Sequence, residues 1–498
     1  MNADDSLVGL TIAGFQERLA DGSLTSTALV DWYLERIASL DGHVNAVLEI
    51  NEEARQTAAM MDLEWEPDFN RGPLHGVPIL VKDNIEIGGQ CNTAGSLALD
   101  GYRPAWDAPI VGRLRLAGAV ILGKTNLSEW ANFRSRYSSS GWSSRGGQTR
   151  NPYSLDRTPA GSSSGSGVAV AADFCLAAIG TETDGSIVSP AAINGVVGIK
   201  PTLGLVSRSR IVPIAHSQDT AGPLARSVAD AATLLSAMIG KDPADPITEL
   251  AQTVTSADFA GGFDPAALKG ARIGVVSDLF GFSPKADAVI ERSLSLLSSL
   301  GAEIVEPASL GNVDEMRVHE NEVLAFEFKA DLNAFLASRD PAPTIGSLEA
   351  LIEFNEEFRE KVMPVFGQDR LIGAQAKADL SSPAYVHALN ESRRLAREAG
   401  IDRVMATHGL DALVAPTNGP ARVIDLVNGD GGAWGKTSAP AAVAGYPHVT
   451  VTAGYVSGLP IGLSLFGRAK SDLRIIELAH AFEQASEPRR APAFKPNV

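Results

Sequence analysis

Two serines and a lysine are the side chains of this sequence whose types and settings point most directly to chemistry. Ser162 and Ser186 stand in Gly/Ser-rich turns at either end of residues 158–201, TPAGSSSGSGVAVAADFCLAAIGTETDGSIVSPAAINGVVGIKP. A serine hydroxyl is a poor nucleophile until a base takes its proton. Lys82 ends the apolar run GVPILVKDNI, residues 76–85, which reads as a buried strand. A charged amine there costs on the order of several kcal/mol unless it is paired or neutral. Two readings follow. Either Lys82 pairs with adjacent Asp83 or reaches solvent, or burial lowers its pKa until it can act as a base.

Competing chemistries are poorly supported. GSSSG fits G-x-S-x-G centred on Ser163, but no strand runs into it as a nucleophile elbow needs. GSSSGSG lacks the lysine of a phosphate-binding loop. The histidines at 43, 75, 216, 319, 387, 408, 448 and 480 form no H-x-x-x-H or H-E-x-x-H pair, so no zinc hydrolase is expected. The two cysteines, Cys91 and Cys175, lack metal or redox spacing, and Cys175 reads as a small core residue.

The elements that must position Lys82 and the serines are those of a large α/β protein. Residues 168–179 offer Val, Ala, Phe, Cys, Leu and Ile at helical spacing, so one buried helix is expected to hold apart two loops with exposed hydroxyls. Helices are read over 11–20 and 25–40, each with a Thr or Ser where an N-cap belongs, then a short strand and a helix after Asn45, and a loop over 65–76. A helix over 108–116 precedes a strand over 119–122, and 123–131 is read as a turn into a short helix. Residues 271–276 and 302–305 flank a helix over 285–300 as a βαβ unit. Helices broken at Pro341 and Pro343 fill 313–399 and are expected to cover one end of the sheet. Strands over 412–416, 448–453 and 461–466 and a helix over 472–485 finish the chain.

The chain has 498 residues with 45% hydrophobic and 20% charged, which is globular composition. Its net charge of -17, from 59 acidic and 42 basic side chains, argues against nucleic acid and anionic membranes as partners. The Arg- and aromatic-containing segment NFRSRYSSSGWSSRGGQTRNPY is read as a structured loop beside the Gly/Ser turns. An acidic N-terminus and no apolar run near the roughly 20 residues of a bilayer span give a cytoplasmic expectation.

Three motifs in order, GVPILVKDNI, AGSSSGSG and GTETDGSI followed by PAAINGVVGIKPT, resemble the amidase signature family, and the likeness spans nearly the whole chain. The resemblance implies an α/β fold with a large mixed β-sheet sandwiched between layers of helices, in one domain over 1–498. Residues 70–235 would be its core, 240–400 a helical cover and 410–485 the completing strands and helix. It implies a Ser-cisSer-Lys triad with Lys82 as base, Ser162 as bridging serine after a cis peptide, and Ser186 as nucleophile. The backbone N–H groups of Thr183, Asp184, Gly185 and Ser186 would form the oxyanion hole, and no metal or cofactor is required.

Departures from the family pattern are informative. Ala160 and Gly161 stand where many members have two glycines, Ser164 replaces a later glycine, and Asp184 replaces a glycine in the oxyanion turn. Val188 stands where the glutamine amidotransferase subunits carry an arginine, which removes the partner for a substrate carboxylate. The pattern resembles the peptide amidase and aryl acylamidase branch, so a small-molecule or peptide amide substrate and a monomer or homodimer are expected. Trp130, Ala131, Phe133, Tyr137, Trp142 and Val188 are the candidate substrate contacts, although the aromatics equally suit a core.

Overall fold

Long apolar runs without alternation become the interior strands of an eleven-stranded mixed sheet. The computed structural model describes residues 5–66, 70–311, 313–431, 435–486 and 489–498; residues 67–69 of the expected 65–76 loop lie outside it. In chain order the strands are β1 (Val47–Ile50), β2 (Pro78–Lys82), β3 (Val120–Thr125), β4 (Trp142–Ser143), β5 (Gly147–Gln148), β6 (Ala177–Glu182), β7 (Val197–Lys200), β8 (Thr220–Ala225), β9 (Arg272–Val276), β10 (Glu303–Ala308), β11 (Ala412–Pro416), β12 (His448–Val456) and β13 (Leu459–Phe466). The sheet order is β1-β3-β2-β6-β8-β7-β12-β13-β11-β9-β10, with β4 and β5 a separate hairpin in the Ser/Arg segment. Strands β2, β3, β6, β7, β8, β11 and β13 are buried throughout, because helices cover both faces. The edges β1 and β10 are partly exposed.

The N-terminal helices form where their caps predict. Thr11 and Thr25 accept the N–H groups of Gly14 and Ala28, and Ser26–Val44 buries Leu29, Trp32, Tyr33 and Ile37 against the sheet. Helix Pro284–Ser299 joins parallel β9 and β10 as the expected βαβ unit. The strand read over 119–122 runs on to Thr125, and only a short 3-10 turn, Glu129–Asn132, follows.

One expectation is overturned. Residues 168–179 are not one helix: a helix at Ser164–Ala171 is followed by a left-handed turn at Asp173 (φ 56°) and then by β6. The Asp173 carboxylate fixes that turn by accepting the Gly9 N–H at 2.9 Å and facing Arg226 at 3.3 Å. Helix and strand are both buried on every side, so neither has a polar face for periodicity to reveal. Cys175 is buried, as expected, but lies in the connection rather than in a helix.

Helix Val313–Ala337 and its successors pack over the loops that follow β2 and β3. Phe328, Leu332 and Phe335 share one apolar cluster with Ala94, Trp130, Phe133, Val212 and Ile214. The cover therefore closes the end of the sheet at which Lys82 emerges.

Candidate active site

Lys82 ends β2 between two parallel neighbours, β3 and β6, and is wholly buried. Its Nζ lies 2.7 Å from Ser162 Oγ, 2.8 Å from Thr181 Oγ1 and 3.3 Å from the Thr181 carbonyl. Burial pushes its pKa down to about 7, against the opposing pull of the Asp219 and Glu182 carboxylates. The pairing with Asp83 does not form. Asp83 points to the other side of the strand, where it accepts from Thr93 and faces Lys124 at 3.6 Å. Successive side chains of a strand alternate faces, so neighbours in sequence are separated in space.

Ser162 follows a cis peptide bond from Gly161. A side chain at Gly161 would collide with Ser128 Oγ, so the approach requires glycine there, whereas Ala160 adopts the left-handed region itself (φ 55°). The remaining serines of the turn are structural. Ser163 Oγ donates to the Thr181 carbonyl at 3.1 Å and accepts the Thr181 N–H at 3.2 Å; Ser166 Oγ donates to the Ile179 carbonyl at 3.0 Å. These bonds stitch the loop and helix onto β6. They also commit the buried hydroxyl of Ser163, which a nucleophile elbow would need free.

Ser186 is brought alongside by the backbone: Ser163 donates its N–H to the Ser186 carbonyl at 3.2 Å. The expectation of exposed hydroxyls is corrected here, since Ser162 is inaccessible and Ser186 is 8% exposed. Solvent therefore reaches the second serine and not the first. The N–H groups of Thr183, Asp184, Gly185 and Ser186 donate to no protein group among the described residues. Gly185 supplies the positive φ (76°) that turns this segment back. Glu182, at the end of β6, fixes the next two residues by accepting the Ile187 and Val188 N–H groups at 2.7 and 3.0 Å.

Beside this group lies a cavity of about 250 Å³. Thr181, Asn84 and Thr183 line its inner end, and Ala131, Ile214 and Phe335 contribute to its apolar walls. Of the candidate substrate contacts, only Ala131 lines it. Trp130 and Phe133 are buried in the cluster beneath the helical cover, Trp142 stacks edge-on to Phe366 at 5.0 Å, Val188 is buried, and Tyr137 is 63% exposed. Residues not anticipated from sequence are Thr181, Glu182, Asn84 and Asp219. An acid in the buried run AAIGTE was the available signal for Glu182.

Among the described residues, His216, Glu327 and Asp331 bring possible metal-ligand atoms within 4.8 Å of one another. Those atoms already serve each other and their neighbours. His216 Nδ1 lies 2.9 Å from Asp331, and Glu327 accepts from the Ser217 N–H at 2.9 Å and from Tyr385 at 2.7 Å. The cluster anchors the loop before β8 to helix Val313–Ala337. No helix among the described residues is long and apolar enough to cross a membrane.

The family model described as Amidase matches residues 28–476. A probable amidase of Arabidopsis thaliana is 38% identical over 98% of this chain and 92% of its own length. The native peptide amidase from Stenotrophomonas maltophilia superposes with a TM-score of 0.93 at 48% identity, covering 98% of this chain and 99% of that one. One glutamyl-tRNA(Gln) amidotransferase subunit, from Synechococcus sp., is 33% identical over 96% of both chains.

Proposed function

The chain belongs to the amidase family and is an amide hydrolase; from this premise we propose that it cleaves a neutral carboxylic amide through an acyl-enzyme on Ser186. The candidate substrates are a peptide C-terminal carboxamide, which releases ammonia, and an aryl amide, which releases an arylamine. The observation that carries the reading is the 2.7 Å contact between wholly buried Lys82 and Ser162. With its pKa near 7, the amine is substantially neutral at neutral pH and can accept a proton.

In this mechanism Ser186 Oγ attacks the carbonyl carbon while its proton passes to Ser162, whose own proton passes to Lys82. The carbonyl oxygen takes the negative charge, and the N–H groups of residues 183–186 receive it. Each such donor is worth about 3 kcal/mol in related oxyanion sites. As the C–N bond breaks, its electron pair stays on nitrogen, which is protonated from Ser162 as Lys82 returns its proton. Water then attacks the Ser186 ester, and the same relay restores the serine and frees the acid. Glu182 and Thr181 act as positioning residues, the first on the nucleophile turn and the second on the lysine.

The amidotransferase subunits are a second group of relatives. Buried, apolar Val188 beside the nucleophile turn favours a neutral substrate over a carboxylate-bearing one. Product analysis by mass spectrometry with peptide carboxamides and anilides, beside Ser186→Ala, tests the proposal. Turnover that survives in Ser186→Ala would overturn it.

A further inference from the structure

Three consecutive residues of the loop before β8 are held by three acids of the helical cover. His216 Nδ1 lies 2.9 Å from Asp331, the Ser217 N–H donates to Glu327 at 2.9 Å, and Gln218 Nε2 donates to Glu320 at 3.0 Å. Glu320, Glu327 and Asp331 recur at helical intervals along Val313–Ala337, so one face of that helix presents them together. The His216 end of this ladder is exposed, whereas Gln218 and Glu320 are buried, at 3% and 2% exposure. A polar group that loses its partner at such depth costs far more than one at the surface.

The loop in turn holds the segment that leads to Ser186. The same Gln218 Nε2 donates to the Thr183 carbonyl at 3.1 Å, and the next residue, Asp219, accepts from the Thr183 hydroxyl. Asp219 is itself fixed by the Ile214 and Ala215 N–H groups at 2.8 and 2.9 Å. In a trans peptide the carbonyl and the following N–H lie in one plane and point in opposite directions. Fixing the Thr183 carbonyl therefore also fixes the direction of the Asp184 N–H, one of the donors assigned to the oxyanion.

We infer that Gln218 and Glu320 are positioning residues for amide hydrolysis, Gln218 orienting the Thr183–Asp184 peptide toward the oxyanion while Glu320 of the cover helix holds Gln218, an assignment that rests on the acyl-enzyme reading above. The neutral acid is the form of Glu320 that suits this place. Burial, and after it the Asp184 carboxylate on the turn, push Glu320 up to about 8. The Gln218 bond, Arg317 on the same helix and Arg370 on helix Asp369–Gln375 oppose that rise. Glu320 is thus mainly protonated at neutral pH. At higher pH it gains a negative charge beside the turn that must receive another, which disfavours the transition state.

The test measures kcat and KM of wild type, Glu320→Gln and Gln218→Met from about pH 5 to pH 10 on peptide carboxamides and anilides, beside Ser186→Ala, with each rate normalised to the folded fraction by circular dichroism. Glu320→Gln keeps an acceptor for Gln218 and cannot ionise. It is expected to hold kcat at pH 7 within about threefold of wild type, to keep the acid limb assigned to Lys82, and to lose the alkaline fall that wild type shows above about pH 8. Gln218→Met, of similar size, is expected to lower kcat about tenfold or more with KM changed less than about threefold, the mark of an interaction made in the transition state. A Glu320 that served only packing would leave the alkaline limb where it is. An alkaline limb unchanged by Glu320→Gln, or absent from wild type, overturns the inference, as does an unaltered kcat in Gln218→Met; with Ser186→Ala inactive, the acyl-enzyme reading still stands. Turnover that survives in Ser186→Ala overturns both.

Discussion

The backbone N–H of Ser163 donates to the carbonyl of Ser186 at 3.2 Å, so the turn that carries the proposed bridging serine is pinned to the turn that carries the proposed nucleophile. With Lys82 Nζ at 2.7 Å from Ser162 Oγ, one continuous path of short contacts joins three segments more than a hundred residues apart at their ends. This arrangement leads to four predictions.

Loss of each proposed catalytic group should cost activity in a fixed order. Ser186→Ala should lower kcat by about 10⁴-fold or more, since no acyl-enzyme can form. Lys82→Ala should cost about 10²–10⁴-fold, the range for removal of a general base. Ser162→Ala should be severe but incomplete, because water can occupy part of the relay. Intact-mass detection of a trapped acyl adduct in wild type and its loss in Ser186→Ala checks the order.

Activity should fall on the acid side. Lys82 is pushed down to about 7 by burial, and in the proposed mechanism the neutral amine is the working form. Below that pKa the lysine is protonated and kcat/KM should drop roughly tenfold per pH unit. A profile that stays flat down to pH 4 would exclude a lysine base.

Ser163→Ala separates support from chemistry. Its hydroxyl makes two bonds to the Thr181 backbone and lies wholly buried. Removing it should destabilise the fold by about 1–3 kcal/mol, by leaving the buried Thr181 N–H without its acceptor. Activity at low temperature should fall less than tenfold. Denaturant unfolding and kinetics on the same samples read the two effects apart, and complete inactivation of a folded protein would contradict the assignment.

Glu182→Ala should lower kcat with little change in KM. Its carboxylate holds the N–H groups of Ile187 and Val188, immediately after the proposed nucleophile, so its loss should loosen the turn proposed to receive the oxyanion. Glu182→Gln retains one acceptor oxygen and should recover part of the rate. Equal loss in both variants would point to the charge rather than the two bonds.

Much of this was legible in the chain. The caps at Thr11 and Thr25, the βαβ unit over 271–305, and the buried strand ending at Lys82 all follow from local pattern, because a cap is satisfied within a few residues and a buried strand shows as an unbroken apolar run. The run over 168–179 misled for the opposite reason. It begins as the end of a helix, turns at Asp173 and finishes as the start of a strand, and helix and strand are both buried all round, so hydropathy carries no period there.

By itself, then, the sequence determined the residue types and their order: a lysine at a strand end, two serine turns flanking small apolar residues, and a strong family likeness. Tertiary structure decided which way Lys82 faces, which serine solvent reaches, and what lies beside the lysine. Those outcomes depend on β6 lying beside β2 and on helix Val313–Ala337 closing over the strand ends. Burial, and with it the lowered pKa of Lys82, is a property of surroundings gathered from remote parts of the chain. The same is true of the 250 Å³ cavity, whose walls come from separate regions between Asn84 and Phe335.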